Sequence, residues 1–179
     1  MSRSIFIVSL ILLVSGLAAA QPKHASVRFS SVYSNFTSDC KIWPGEGGTD
    51  GYSLCRGPGG YRIRLYYSAA TSQFNIEERK DKTGPGYALA TLSINYEPQK
   101  TKVEWRLANG KPFAAIMRVP TYADPRNDAE YFGPVNGHQL VVVGLKGLDL
   151  SDKVDAKEPN ANTKAREIAD AAYTKTKAN

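Results

Sequence analysis

Between Ser26 and Gly147 the dominant hydrophobic period of the chain is two, and this period favours extended strands over helices. The run YRIRLYY, from Tyr61 to Tyr67, places two tyrosines, an isoleucine and a leucine on one face and two arginines on the other. The run VEWRL, from Val103 to Leu107, alternates in the same way. The pattern therefore predicts half-buried β-strands over most of the chain.

The run QFNIEER follows YRIRLYY after the polar segment SAATS, and the two runs predict a hairpin. Matching their like faces predicts three cross-strand pairs: Tyr67 with Phe74, Leu65 with Ile76, and Arg64 with Glu77. Since exposed ion pairs add little stability, the last pair mainly tests the register.

A second hairpin is predicted at Asn109-Gly110, because this dipeptide accepts the positive φ angles of a tight turn. Its predicted pairs are Ala108 with Lys111, Trp105 with Ala114, and Val103 with Ile116. The opposite face of the hairpin then carries Glu104, Arg106 and Phe113.

Further elements are a strand from Ala88 to Tyr96, a long loop from Tyr122 to Asn136, and the strand QLVVVGL, whose continuous apolar run predicts burial on both faces. The polar segment DLSDKVDAKEPN predicts a loop. A helix is then expected to begin at Asn160 or Asn162 and to run to about Lys175. Small and apolar side chains form one stripe on this helix: Ala161, Ala165, Ile168, Ala169 and Ala172.

These elements predict a mainly β fold: a single antiparallel β-sheet or sandwich domain with one C-terminal α-helix packed on it. The expected domain limits are 21–150 for the β domain, with 151–179 forming the polar loop and helix of the same domain.

Residues 1–20 have the order of a secretory signal peptide: Arg3, an apolar run from Ile5 to Val14, and the small residues that end at Ala20. The alternative is a retained membrane anchor, but the apolar run is about half the length that a spanning helix needs. We therefore expect cleavage after Ala20, no membrane span afterwards, and export to the periplasm or the extracellular space.

Cys40 and Cys55 are the only cysteines of the chain, and export places them where thiols oxidise. A disulfide between them is the simplest interpretation. The alternatives are a catalytic thiol, which needs a neighbouring base, and a metal site, which needs more ligands than this pair. The loop between the cysteines is rich in Gly and Pro, so a bridge would restrain it.

Common catalytic motifs, including the nucleophile elbow, zinc-protease, P-loop and EF-hand patterns, are absent from the sequence. We therefore predict that the protein is not an enzyme and needs no metal or cofactor. One alternative is a small hydrolase-like or lyase-like enzyme that uses His138 with Glu104 or Asp128. A weak calcium site formed by Asp124, Asp128 and Glu130 is a further alternative to solvated loop charges.

The chain carries 23 Lys and Arg against 17 Asp and Glu, but opposite charges alternate and no basic block indicates nucleic-acid binding. Ten tyrosines are the least ordinary feature of the composition, since Tyr is common both at recognition surfaces and in strands. Alternation predicts four of them in the core: Tyr33, Tyr61, Tyr67 and Tyr96. The candidate recognition patch consists of Arg62, Arg64, Tyr66, Arg106, Tyr122 and Tyr131. The alternative is a solvated sheet face with ion pairs to Glu77 and Glu104.

Three segments resemble a group of uncharacterised small secreted or periplasmic proteins of Gram-negative bacteria: CRGPGGY from Cys55, EWRLANGKPFAAIMRV from Glu104, and ANTKAREIAD from Ala161. The resemblance implies export, a bridge between Cys40 and Cys55, and the same domain limits. Members often carry another cysteine pair near the C-terminal helix, which this sequence lacks. Because the group has no assigned activity, the resemblance implies no catalytic residues.

The expected function is that of an exported, non-enzymatic binding domain, inhibitor-like or envelope-associated, whose partner is a protein or an envelope component. It would act through a rigid sheet face and the loop from Tyr122 to Asn136. Besides the enzyme, a structural envelope protein is an alternative, and that alternative predicts self-association without a pocket.

Overall fold

The computed structural model describes residues 26–35, 40–43, 51–67, 72–78, 87–94, 102–126, 133–145 and 147–178. The expected signal peptide, residues 1–20, lies outside these ranges. The strands are β1 (Phe29–Asn35), β2 (Cys40–Trp43), β3 (Gly51–Arg56), β4 (Tyr61–Tyr67), β5 (Ser72–Glu78), β6 (Tyr87–Ile94), β7 (Lys102–Ala108), β8 (Lys111–Tyr122), β9 (Val135–Gly144) and β10 (Ser151–Asp155). The helix α1 is Ala161–Ala178.

The strands form two antiparallel sheets of five strands each. The first sheet has the order β1-β7-β8-β9-β10, and the second sheet has the order β2-β3-β4-β5-β6. The whole second sheet is therefore inserted in the chain between β1 and its partner β7. This arrangement confirms the predicted mainly β fold.

One face of each sheet contributes to a shared core, as the alternation of the sequence predicts. The second sheet supplies Ile63, Leu65, Phe74 and Ile76, and the first sheet supplies residues that include Val103, Trp105, Met117 and Val141. Trp105 is fully buried among them. The two sheets thus form a β-sandwich.

The helix α1 covers the other face of the first sheet. Ala161, Ala165 and Ala169 are buried there in a cluster with Ile116 and Val142. Their small side chains let the helix axis lie close to the strands, which confirms the predicted packing of the stripe. Because β9 lies between the core and the helix, it is buried on both faces, as its apolar run predicted.

The disulfide between Cys40 and Cys55 is formed, with an S–S distance of 2.02 Å. The two cysteines are direct cross-strand partners in β2 and β3. The segment between them was expected to be an irregular loop, but its two ends pair as strands from Cys40 to Trp43 and from Gly51 to Arg56. Such a bridge is typical of proteins that fold in an oxidising compartment.

The register predicted for the first hairpin is wrong by two residues, although the faces are correct. The observed pairs are Leu65 with Phe74, Ile63 with Ile76, Arg62 with Glu77, and Arg64 with Asn75. Tyr67 pairs with Ser72, so only residues 68–71 connect the two strands. This connection is shorter than the one implied by the predicted pair of Tyr67 with Phe74.

The second hairpin has the predicted turn, with positive φ at both Asn109 and Gly110, and the predicted pair of Ala108 with Lys111. A register shift between Arg106 and Leu107 then moves the following pairs by one residue. Trp105 is therefore opposite Ala115 rather than Ala114. A bulge of this kind leaves little trace in a hydrophobic pattern.

The polar segment after Gly147 was predicted to be a loop, but Ser151–Asp155 forms the edge strand β10. Only Val154 of this strand is buried, which explains why no alternation marks it. The helix begins near the predicted cap, at Ala161, after Asn160 with positive φ. No helix among the described residues is long and apolar enough to cross a membrane.

Candidate functional site

The residues of the predicted patch are separated by the fold. Arg62, Arg64 and Tyr66 lie together on the outer face of the second sheet, because they alternate with the core residues of β4. Arg106 belongs to the first sheet and contacts α1, so its inclusion in one common patch is wrong. Tyr122 ends β8, and Tyr131 lies outside the described residues.

Glu77 joins the two arginines of β4. Its carboxylate accepts a hydrogen bond from Arg62 Nε and one from Arg64 Nε, each over 2.8 Å. Glu77 is 2% exposed, and both arginines are buried as well. The ion pairs to Glu77 given as the alternative are therefore observed for these two arginines, but they are buried and not solvated: two guanidinium groups share one desolvated carboxylate, which fixes their positions.

The guanidinium of Arg64 also lies over two aromatic rings. Its guanidinium carbon lies 4.8 Å from the centre of the Tyr52 ring and 5.7 Å from that of Tyr66. These rings lie side by side because Tyr52 and Tyr66 are cross-strand partners in β3 and β4. Burial lowers the pKa of Arg64, but the hydrogen bond and charge of Glu77 outweigh it, so the pKa lies above its ordinary value. The group stays cationic, and cation–π attraction helps to hold both rings.

Two further cations lie on the same face of the second sheet. Arg56 is opposite Arg62, and Lys41 is opposite Leu54, the neighbour of Arg64. Both Lys41 and Arg56 are exposed. Neither forms an ion pair with any residue in the described ranges.

We call this surface the basic-aromatic face and define it by Lys41, Tyr52, Arg56, Arg62, Arg64, Tyr66 and Glu77. It carries four cationic side chains and one carboxylate, so it has an excess of positive charge. Tyr66 is 38% exposed and is the outermost aromatic residue of the group. The face thus combines exposed cations with a rigidly supported aromatic ring.

Arg106 and Glu104 form a different assembly, which holds α1 against the first sheet. Arg106 donates to both carboxylate oxygens of Asp170, over 3.0 and 2.5 Å. Arg166 donates in the same bidentate way to Glu104, over 2.6 and 3.1 Å. Ser31 connects the two pairs, since it accepts from Arg106 and donates to Glu104. We call these five residues the helix clamp.

The electrostatics of the helix clamp favour its ionised state. Burial raises the pKa of Glu104, but hydrogen bonds from Arg166 and Ser31, together with the charges of Arg166 and Arg106, bring the pKa below its ordinary value. The hydrogen bond that Arg166 donates to Glu104 outweighs the effect of burial and raises the pKa of the Arg166 guanidinium. The helix partners Arg166 and Asp170 were not predicted, although their spacing of four places them on one helical face.

His138 lines a shallow pocket of about 310 Å³. The pocket lies at the end of the first sheet where β8 and β10 finish and β9 begins. Polar side chains surround it, including Thr121, Asp155 and Lys157. Within the described ranges no hydrogen bond or ion pair joins the His138 ring to a carboxylate or a hydroxyl. Glu104, one proposed partner of His138, is instead bound by Arg166 and Ser31, and Asp128 lies outside the described residues.

The acidic group of the long loop is described only at Asp124, which is exposed, whereas Asp128 and Glu130 lie outside the described residues. In the part of the chain that the structure covers, His, Cys, Asp and Glu side chains form no cluster of three that suits a metal ion.

Comparison of the chain with models of protein families, with curated proteins and with solved structures finds no match.

Proposed function

We propose that this protein is an exported binding domain, without catalytic activity, that recognises an acidic partner through the basic-aromatic face. The observation that carries the proposal is the position of Arg64, which is held by Glu77 over the adjacent rings of Tyr52 and Tyr66 and lies beside the exposed cations Arg56 and Lys41. The partner is a protein or an envelope component that presents carboxylate or phosphate groups.

Rigid support of the aromatic rings favours binding. A side chain that is already fixed loses little conformational entropy when a partner covers it. Tyr presents a broad apolar surface with a polar tip, and it is enriched at protein interfaces. Tyr66 combines this chemistry with 38% exposure. The buried arginines Arg62 and Arg64 then support the surface and do not themselves make most of the contacts.

The excess of positive charge supports an acidic partner. Arg56 and Lys41 are exposed, and the only described carboxylate on the face, Glu77, is already bound by two arginines. Arg forms paired hydrogen bonds with carboxylates and phosphates, and surface charge of one sign accelerates the encounter with its opposite. Binding of this kind weakens as salt rises, because exposed charges are screened.

The test is capture of partners by immobilised, oxidised protein that lacks residues 1–20, from envelope and culture fractions of its source. The informative variant combines Arg56→Gln with Tyr66→Ala, since both side chains are exposed on the face. The matched control is Lys153→Gln, which removes an exposed cation from β10 of the other sheet.

We expect salt-sensitive capture by the unmodified protein and by the control, and at least a tenfold loss in the double variant. Added polyglutamate should compete if the partner is recognised by its negative charge. Equal capture by the double variant and the unmodified protein would reject the basic-aromatic face as the binding surface.

A further inference from the structure

The two edges of the first sheet differ in how they are protected against pairing with another strand. The edge strand β10 has five residues, three of them charged: Asp152, Lys153 and Asp155. Charged, short edge strands are a common defence against association. The opposite edge strand β1 has seven residues, FSSVYSN, with no charge and no proline. Its register with β7 is continuous from Phe29 to Asn35, so no bulge interrupts it.

Apolar side chains on both faces of β1 remain exposed. Val32 lies on the face that carries Trp105, yet it is 40% exposed. Tyr33 lies on the face that carries Glu104 and is 57% exposed. Alternation predicted Tyr33 in the core, and this prediction is wrong, because β1 ends the sheet and α1 does not cover the ring. Within the described part of the chain no strand pairs with the second edge of β1.

We propose that β1 pairs antiparallel with β1 of a second copy about a two-fold axis at Val32. The two first sheets then form one continuous sheet of ten strands. This register pairs the five residues from Ser30 to Ser34: Val32 faces Val32, Ser31 faces Tyr33, and Ser30 faces Ser34. A two-fold interface of this kind is closed, so it gives a dimer and not a fibre.

Electrostatics favour a second copy as the occupant. Since β1 carries no charge, self-pairing brings no like charges into opposition. Tyr33 accepts a hydrogen bond from Arg166, so the helix clamp of each copy lies close to the proposed axis. The clamp contains two cations and two carboxylates that pair with each other, and two such assemblies therefore approach without net repulsion. Main-chain hydrogen bonds supply the attraction, as in other cases of strand addition.

The test measures the mass of the oxidised protein without residues 1–20 in solution, by analytical ultracentrifugation over a wide range of concentration. We expect a dimer for the unmodified protein. Val32→Lys should weaken dimerisation about tenfold or more, because it places two like charges on the axis. Ser151→Lys, which adds the same charge to the exposed end of β10, should leave the dimer unchanged.

A second variant keeps the proposal testable if Val32→Lys does not fold. In Val32→Cys the two new thiols face each other at the distance of a cross-strand pair, which permits a disulfide. We expect a covalent dimer under mild oxidation, with the bridge between Cys40 and Cys55 intact by mass spectrometry.

A protein that stays monomeric throughout overturns the proposal, even if it captures a strand from another protein. A dimer that persists in Val32→Lys, or that gives no cross-link in Val32→Cys, also overturns it, because its interface would then lie elsewhere.

Discussion

Glu104 of β7 and Arg166 of α1 form a bidentate ion pair, with Nε to Oε1 at 2.6 Å and Nη2 to Oε2 at 3.1 Å. The two residues are 62 positions apart in sequence, so the pair fixes one long-range contact between helix and sheet. The Arg106 to Asp170 pair adds a second contact one helical turn further on. The buried stripe of α1 consists largely of alanines, whose small side chains interlock little with the sheet. The directional ion pairs therefore orient the helix.

We expect Glu104→Gln to lower the free energy of unfolding by about 1–2 kcal/mol at neutral pH, because it removes a charged, hydrogen-bonded group from a buried position. The folded pKa of Glu104 lies below its ordinary value of 4.5, to which it returns on unfolding. Its contribution to stability is therefore complete above pH 4.5 and is lost as the pH falls through the folded value. Urea unfolding at a series of pH values measures this dependence.

The matched control for this experiment is Glu158→Gln. Glu158 also pairs with a helix residue, Lys164, but both side chains are well exposed. Such pairs contribute little, so no measurable change is expected. If Glu104→Gln and the unmodified protein lose stability in parallel below pH 4.5, Glu104 is not the group that strengthens the helix contact.

Glu77→Gln is expected to destabilise the second sheet by about 3 kcal/mol, since it leaves two buried guanidinium groups without their shared carboxylate. Urea unfolding measures the change. Replacing Arg62, Arg64 and Glu77 together by Met should recover much of the loss, because well-packed apolar residues can replace a buried ion cluster. A triple variant that is less stable than Glu77→Gln would contradict this account.

The β framework could be predicted because alternation is local. The faces of Tyr61–Tyr66 and Val103–Leu107, the turn at Asn109-Gly110 and the doubly buried β9 all follow from near neighbours in sequence. The strand registers were harder to predict. The length of the connection decides the register of β4 with β5, and the shift between Arg106 and Leu107 decides that of β7 with β8. The strand β10 was missed because Val154 is its only buried residue.

The basic-aromatic face was only partly predictable, because part of it depends on how the strands pair. Arg62, Arg64 and Tyr66 are adjacent on one strand, and their common face follows from alternation. The positions of Tyr52, Arg56 and Lys41 beside them depend on the pairing of β2, β3 and β4. Arg106 was predicted to join this face because it also projects from a strand. Sequence alone did not reveal that its strand, β7, belongs to the other sheet, or that Arg106 pairs with Asp170 of α1.

A hydrogen-bond chain connects the two sheets at one margin of the sandwich. Trp105 Nε1 donates to Ser34 Oγ over 2.9 Å, and Ser34 Oγ donates to the carbonyl oxygen of Arg56 over 2.9 Å. We expect Ser34→Ala to lower the free energy of unfolding by about 1–3 kcal/mol, since it leaves a buried indole N–H and a carbonyl unpaired. Ser30→Ala is the control, because Ser30 lies on the same face of β1 and is exposed. Equal unfolding curves for the two variants would show that these hydrogen bonds between the sheets contribute little to stability.

The disulfide should stabilise the second sheet locally as well as globally. β2 has only four residues and lies at the edge of that sheet, and among the described strands only β3 pairs with it, so the bridge is an important restraint on β2. Closing a loop of this length is worth about 3 kcal/mol on the chain-entropy model. Replacing Cys40 and Cys55 together by Ala should therefore lower the free energy of unfolding by about that amount. Amide hydrogen exchange should rise most in β2 and β3 and least in β8 and β9. A uniform rise across both sheets would instead mean that the bridge acts only through the unfolded chain.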